Sequence, residues 1–162
     1  LFHQSTVAEN LALPLRFHHD GPASETHDRI AAVLESLDLA SVAHRRPREV
    51  SRALCQRAGL ARALVMNPDL LVLDNPLRGM DWRQTEWWLN CLAGLAAGHE
   101  LLGGKRMTLA VATDDLRPWV EQGHQFAVIG QGRWNVLGAS VALHNADPGL
   151  LCELLAGDGA KN

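Results

Sequence analysis

One acidic residue closes a short apolar run near the middle of the chain. Leu70 to Leu73 are all apolar, and Asp74 follows them directly. A run of this kind is typical of a strand that is buried on both faces of a parallel sheet. Ligands of open α/β sheets bind at the carboxyl ends of the strands, and a carboxylate there commonly holds Mg²⁺ beside a phosphate. Asp74 is therefore a candidate metal ligand, although a simple cap of the following turn explains it equally well.

The segments around Asp74 alternate between helical and strand-like patterns, which indicates an α/β fold preceded by a mainly helical segment. Apolar residues recur at helical spacing in three long stretches, and short apolar runs indicate strands. The predicted helices cover 24–38 with Ser24 as N-cap, the stretch from Ser51 (as N-cap) to Asn67, 82–97, a short piece after Asp115, and the tail at 141–143 and 150–156. The predicted strands cover 69–74, 107–112, 125–129 and 133–137, while 6–15 alternates weakly and stops at Pro14.

The composition predicts a single domain in a reducing compartment. The 162 residues are 47% apolar and 20% charged with a net charge of -3, so the chain is a poor general binder of nucleic acid. The three cysteines stand far apart without CxxC spacing, which argues against a disulfide framework and a zinc site. No apolar run of membrane-spanning length and no secretory leader is seen, so a cytoplasmic location is predicted. The first residue, Leu1, suggests a piece of a longer chain.

Several blocks of sequence flank Asp74 in a specific order. They are Thr6 to Leu15, then Glu49-Val50-Ser51-Arg52-Ala53-Leu54-Cys55-Gln56-Arg57, Ala61-Arg62-Ala63-Leu64, the run 69–74, Gly79-Met80-Asp81, Val111 to Asp115, and 128–138. This order resembles the nucleotide-binding subunits of ABC transporters. In that family the signature motif, a helix ending Ala-Arg-Ala-Leu, the Walker B strand, the D-loop, the switch strand and a late hairpin follow one another.

The resemblance implies a P-loop NTPase-like ABC ATPase domain that lacks its amino-terminal Walker A part and carries a helical subdomain. It divides the chain into a helical signature subdomain at about 16–66, core strands and helices at about 67–138, and carboxyl-terminal helices at 139–162. It implies ATP and Mg²⁺ as cofactors of the parent protein, with Asp74 as the metal ligand, and none for this fragment alone. The nucleotide-binding positions carried over from the family are Ser51, Arg52, Ala53, Leu54, Asp74 and Asp81.

The resemblance also implies partners and a location. Two subunits of the family clamp ATP between the Walker motifs of one and the signature of the other. A homologous or identical ATP-binding subunit and a membrane permease subunit are therefore expected, and nucleic acid is not. The chain would then be cytoplasmic and peripheral on the inner face of the cell membrane. Leu1-Phe2 and the tail 143–148 are most similar to the ATPases of Mce-type lipid-trafficking transporters.

Three departures from the family pattern predict little or no hydrolysis by this chain. Arg52 and Ala53 replace the two signature glycines, whose backbone N–H groups approach the phosphate closely because no Cβ intervenes. Asn75 stands at the position of the catalytic glutamate, and an amide does not polarise the attacking water as a carboxylate does. Asp114 stands at the position of the switch histidine, where a carboxylate repels the γ-phosphate. No catalytic residue of the family is intact.

The phosphate-binding loop is absent from these residues. A Walker A motif needs glycines for the cradle, a lysine for the β- and γ-phosphates and Ser or Thr for Mg²⁺. Gly103-Gly104-Lys105 imitates its end, but Arg106 takes the place of Ser/Thr, and the segment follows a helix and precedes a strand, which is the reverse of the required order. In the family, the Walker A strand and the Q-loop precede the block that starts at Thr6.

Two alternatives stay open from the sequence. The first is a non-enzymatic remnant or interaction module that keeps the fold without the chemistry. The second is a receiver-like domain with Asp74 as phospho-acceptor. Such a domain requires an adjacent acidic pair upstream and a lysine after a later strand, and here Lys105 precedes that strand.

Overall fold

Helices dominate the first part of the chain, and strands enter at Leu70. The computed structural model describes residues 1–18, 22–130 and 132–139, so the predicted tail helices, Cys152 and the turn residue Gln131 lie outside the described residues. The helices are α1 (Val7–His18), α2 (Ala23–Ser36), α3 (Arg52–Leu64) and α4 (Trp82–Ala97). The strands are β1 (Leu70–Asp74), β2 (Thr108–Ala112), β3 (Phe126–Gly130) and β4 (Arg133–Gly138). Short 3₁₀ turns at 40–42, 47–49, 100–102 and 117–119 connect them.

The opening segment is a helix, so the weakly alternating pattern that stops at Pro14 was the wrong interpretation. Thr6 and Glu9 form a reciprocal capping box, with Glu9 N donating to Thr6 Oγ1 (3.2 Å) and Thr6 N to Glu9 Oε2 (2.7 Å). The bond from Thr6 N to the carboxylate also lowers the pKa of Glu9. The side chain of Asn10, fully buried, donates to the carbonyls of Phe2, Ser5 and Thr6. These bonds fix the first turn, and α1 continues through Pro14 to His18.

The helix predicted at 24–38 is confirmed as α2, but its predicted cap is not. Pro22 occupies the N-cap position and Ser24 lies inside the helix. Arg29 of α2 reaches the far end of α3, where its guanidinium donates to the carbonyls of Leu64, Val65 and Leu101. Burial lowers the pKa of this guanidinium, which nevertheless stays protonated. One side chain thus binds the carboxyl end of α3 and the 3₁₀ turn after α4.

The signature-like stretch forms the start of α3, as predicted. Ser51 is its N-cap, and Ser51 Oγ accepts a hydrogen bond from Leu54 N at 3.3 Å. Ala58, Ala61, Leu64 and Val65 are buried on the inner side, while Leu54 is half-buried. The inner face that helical spacing predicts for this helix, Leu54, Ala58, Ala61, Leu64 and Val65, is therefore buried except at Leu54.

The first two strands are parallel, but only one face of the pair is buried. Leu70 pairs with Thr108 and Asp74 with Ala112, in an unbroken register of five residues. Leu71 is 6% exposed, whereas Leu70 is 53% and Val72 70% exposed. The prediction of a strand buried on both faces was therefore wrong for these residues. In the described residues α4 packs against one side of the pair, and the other side, with Leu70 and Val72, stays exposed.

The helix between the parallel strands matches its predicted bounds. Asp81 is the N-cap of α4, and Gly98, at φ 111°, ends it in a left-handed conformation. A Cβ on Gly98 would lie 2.5 Å from the carbonyl oxygen of Gly104, so only glycine fits. Of the apolar residues Trp88, Leu89, Leu92 and Leu95, which the helical pattern predicts to face inward, Leu89 is half-buried. The other three are buried in one core cluster that also receives side chains from α1, α2 and α3.

A three-residue junction joins α2, α3 and α4 at the surface of this core. Asp38, just after α2, is left-handed at φ 57°. Its Oδ2 accepts from Arg57 Nη1 of α3 (3.1 Å) and from Trp87 Nε1 of α4 (2.9 Å). The Arg57 guanidinium lies 3.7 Å from the centroid of the Trp87 ring. Burial raises the pKa of the neighbouring Cys91 thiol to about 11, so that thiol is neutral at physiological pH.

The last described strands form the predicted hairpin. β3 and β4 are antiparallel, with Ile129 opposite Trp134 and a register shift between Phe126 and Ala127. The 3₁₀ turn at 117–119 stands where a short helix was predicted after Asp115. None of the helices in the described part of the chain is long and apolar enough to span a bilayer.

Candidate functional site

The carboxyl ends of β1 and β2 meet at one edge of the parallel pair. Asp74 and Ala112 are register partners, so Asn75 on one side and Thr113 on the other are the first residues beyond the sheet. Asn75 N donates to Ala112 O at 2.8 Å, which extends the ladder by one bond. The polar residues predicted from the sequence at these two strand ends therefore lie side by side.

Asn75 joins the two strand ends through its side chain. It is left-handed at φ 43°, and its Oδ1 accepts a hydrogen bond from Asp114 N at 3.0 Å. Because a backbone N–H only donates, the amide atom that faces Asp114 must be the oxygen. The positions predicted to replace the family's glutamate and histidine are thus hydrogen-bonded to each other.

Two arginines neutralise the acids after β2. Arg78 Nη1 lies 3.8 Å from Asp114 Oδ2, an exposed and therefore weak ion pair. Arg117 donates through Nε (2.8 Å) and Nη2 (2.6 Å) to the two carboxylate oxygens of Asp115. This bidentate contact lowers the pKa of Asp115, so its carboxylate stays ionised below the usual range. Thr113 Oγ1 completes the turn by accepting from Asp115 N at 3.2 Å.

Asp74 is exposed at the end of β1, in a position open to a ligand. Within residues 1–18, 22–130 and 132–139, no three His, Cys, Asp or Glu side chains are grouped closely enough to hold a metal ion. Mg²⁺ in nucleotide sites is commonly held by one or two carboxylates together with phosphate oxygens and water. A single exposed carboxylate fits that role in a nucleotide complex but does not make a metal site without the phosphates.

Asp81 ends the loop that follows Asn75 and has a structural task of its own. Its Oδ1 accepts from Gln84 N and its Oδ2 from Gln84 Nε2, both at 2.9 Å. Both oxygens therefore take part in capping α4. Residues 75–81, which we call the strand-end loop, are thus fixed at one end by Asn75 and at the other by Asp81.

The signature-like residues approach this loop from α3. A Cβ on Gly79 would lie 3.8 Å from Arg52 Nη2, so the Arg52 guanidinium lies beside the strand-end loop. Ser51 Oγ is used as the helix cap, and Ala53 and Leu54 are half-buried in the first turn of α3. The Arg52 side chain therefore links the start of α3 to the loop that carries Asp81.

The predicted site residues fall into two groups, and three further residues belong with them. Asp74, Asn75 and Asp114 lie at the strand ends, and the start of α3 contacts the strand-end loop through Arg52. Sequence reasoning missed Arg78, Asp115 and Arg117. The Asp-x-Arg spacing of the last two was the available signal, because so short a spacing allows a bidentate contact within one turn.

Comparison with known proteins decides the family. The family described as ABC transporter matches residues 1–78. The spermidine/putrescine import ATP-binding protein PotA of Thermobifida fusca (strain YX) is 33% identical over 147 residues, 89% of this chain and 36% of that protein. Residues 1–78 thus match the ABC transporter family, and most of the chain is similar to an ATP-binding protein of that family.

Other ABC relatives carry names from different transport systems. The intermembrane phospholipid transport system ATP-binding protein MlaF of Escherichia coli (strain K12) is 40% identical over 81 residues, 50% of this chain and 30% of that protein. The methionine import ATP-binding protein MetN of Caulobacter vibrioides is 35% identical over 127 residues, 73% of this chain and 38% of that protein. The chain spans about a third of the length of these curated relatives.

A solved structure supports the ABC fold independently. One chain of an inward-facing ABC transporter of the metal-chelate type superposes with a TM-score of 0.77 at 19% identity. The match covers 94% of this chain and 58% of that chain. The α/β ABC ATPase fold expected from the motif order is therefore confirmed, and the receiver-like alternative is not retained. The roles assigned to single residues, the domain division and the Mce-type subgroup stay predictions.

Proposed function

We propose that this chain is the signature and Walker B part of an ABC ATP-binding subunit that holds nucleotide with little or no hydrolysis of its own. The observation that supports this best is the bond from Asp114 N to Asn75 Oδ1 (3.0 Å). The bond engages the amide oxygen at the position where the family has its catalytic base, and an amide is in any case a much weaker base than a carboxylate. Asp74 remains exposed at the strand end and is the residue that would hold Mg²⁺ beside the phosphates of ATP.

The bound metal would neutralise phosphate charge, and this chain's residues would position the nucleotide around it. Arg52 lies near the start of α3, where it can contact an anion through a forked guanidinium. Asp114 carries a negative charge that opposes a phosphate, although Arg78 offsets part of it. A site of this kind binds nucleotide but lacks the base that activates water.

We expect the purified full-length protein to bind MgATP and to release phosphate at least about a hundredfold more slowly than an active ABC ATPase, the usual loss with a missing general base. The measurements are equilibrium binding of a fluorescent ATP analogue and phosphate release under the same conditions. Asp74→Asn should weaken Mg²⁺-dependent binding, while Asp28→Asn, a remote exposed substitution on α2, should not. Turnover at an ordinary ABC rate would refute the proposal. An absence of binding would favour the non-enzymatic remnant instead.

The proposed partners are a homologous or identical ATP-binding subunit and a membrane permease subunit. A groove of about 350 Å³ runs along α1 and α3 and offers an apolar surface for the permease. Two aromatic side chains at this groove are unusually exposed, Phe17 at 80% and Phe2 at 61%. The remaining lining residues are Leu13, Pro14, Gly59, Arg62 and Ala63. Aromatic anchors of this kind carry much of the binding energy at protein interfaces.

Replacing Phe17 with serine should lower the amount of full-length protein bound to membranes that contain its permease by about tenfold, as expected for loss of one aromatic anchor. Arg16→Ser, at the neighbouring exposed position of α1, serves as the matched control. Sedimentation of the membranes with increasing protein measures both affinities. Equal binding by the Phe17 variant and the wild type would place the permease elsewhere, provided that circular dichroism shows both variants folded.

A further inference from the structure

Asn75 adopts a backbone conformation that suits asparagine better than most residues. Its φ of 43° lies in the left-handed region. Asparagine is among the few non-glycine residues enriched there, because its short polar side chain can hydrogen-bond locally. The longer glutamate side chain of the family pattern has no such preference. The residue type and the backbone conformation at this position therefore agree with each other.

Three hydrogen bonds tie Asn75 to its surroundings. Asn75 N donates to Ala112 O (2.8 Å), and Arg78 N donates to Asn75 O (3.1 Å). The third bond, from Asp114 N to Asn75 Oδ1, is the one that depends on the side chain. Backbone and side chain of one residue thus bind both the end of β2 and the segment beyond it.

The side-chain bond fixes the segment that carries the two acids after β2. Asp114 receives it on its backbone N–H, and Asp115 is held in the same turn by Thr113 and Arg117. Arg78, three residues beyond Asn75, faces the Asp114 carboxylate from the strand-end loop. A carboxylate at position 75 would bring a second negative charge to the Asp114 side of this turn, which is unfavourable.

We propose that Asn75 is a positioning residue that clamps the Thr113–Asp115 segment to the end of β1. Asn75 thus has a structural role of its own and does not merely mark the loss of the family's catalytic glutamate. The clamp holds the segment through the bond from Asp114 N to Asn75 Oδ1. Restoring glutamate at position 75 would break the clamp without restoring hydrolysis. Only this last statement rests on the proposed function, since the clamp itself involves no ligand.

Hydrogen exchange of the Asp114 amide in the full-length protein tests the clamp directly. Asn75→Gly keeps the left-handed backbone but removes the acceptor, Asn75→Ala removes the acceptor and disfavours the backbone, and Asn75→Asp keeps an acceptor. We expect the Asp114 amide to exchange at least tenfold faster in the Gly and Ala variants than in the wild type. In the Asp variant the increase in exchange rate should be smaller. Exchange in β3, at 126–130, should stay unchanged and serves as the internal control.

The pattern separates positioning from backbone strain. If Asn75 mattered only through its φ, the Gly variant would exchange like the wild type and the Ala variant alone would differ, and that result would overturn the proposal. Should the Ala variant fail to fold, the Gly variant still gives the answer. Hydrolysis of MgATP by Asn75→Glu at an ordinary ABC rate would overturn the statement about glutamate, while the exchange of the Asp114 amide decides the clamp itself. A full-length protein that binds no nucleotide would refute the proposed function but leave the exchange result standing.

Discussion

Replacing Arg29 with alanine should lower the free energy of unfolding by about 3 kcal/mol, a large effect for one substitution. The guanidinium donates to the carbonyls of Leu64, Val65 and Leu101, all in buried residues. Leu64 O keeps a second donor, Asn67 N, at 2.9 Å, so the carbonyls of Val65 and Leu101 bear most of the loss. A positive charge at the end of α3 also interacts favourably with the helix dipole.

The Arg29 prediction is measured by urea unfolding of the full-length protein. Arg29→Lys should fall between the wild type and the alanine variant, because an ammonium group keeps the charge but does not span three separate carbonyls. Arg45→Ala, which removes an exposed arginine, should change stability by less than about 0.5 kcal/mol. An Arg29→Ala variant as stable as the Arg45 control would show that water replaces the guanidinium without cost.

Asp38→Ala should lower the free energy of unfolding by about 2 kcal/mol, from two lost hydrogen bonds and a left-handed backbone that alanine disfavours. The carboxylate is the common acceptor for Arg57 and Trp87, so its removal separates α3 from α4 at this surface. The Asp38 side chain is 67% exposed, so solvent replaces part of each bond and keeps the estimate modest.

Matched variants divide the Asp38 effect into its parts. Asp38→Gly keeps the backbone conformation but loses the acceptor, so about 1 kcal/mol is expected. Asp38→Asn tolerates the left-handed backbone and keeps one acceptor oxygen, so it should lower the free energy of unfolding less than Asp38→Ala. Asp28→Ala on α2 serves as the exposed control. Urea unfolding gives the stabilities, and near-ultraviolet circular dichroism monitors Trp87, whose ring meets that of Trp88 at 5.9 Å. An unchanged spectrum and stability for Asp38→Ala would mean that the junction contributes nothing.

Local signals predicted the elements whose two ends are marked in the sequence. Asp81 and Gly98 delimit α4, Ser51 starts α3, and the apolar runs gave both parallel strands. The opening segment is helical although it contains Pro14, because the Thr6–Glu9 capping box begins the helix. The Thr-x-x-Glu spacing at 6–9 is a local sequence signal for this helix start.

The remaining features depend on contacts between distant residues, which no local pattern contains. Asn75 and Asp114 are 39 residues apart, and Trp87 and Asp38 are 49 apart. The motif order placed Asn75 and Asp114 at neighbouring strand ends, but the hydrogen bond between them follows only from the left-handed turn at Asn75. The three carbonyls around Arg29 likewise come together only when α2, α3 and the turn after α4 are packed.

The exposed side of the β1–β2 pair has a consequence for the life of this protein in the cell. Leu70 and Val72 present extended apolar chain to the surroundings. Chaperones and degradation enzymes act on such surface, and unprotected strand pairs of this kind also aggregate. Any contact that covers Leu70 and Val72 should therefore also protect the protein from degradation.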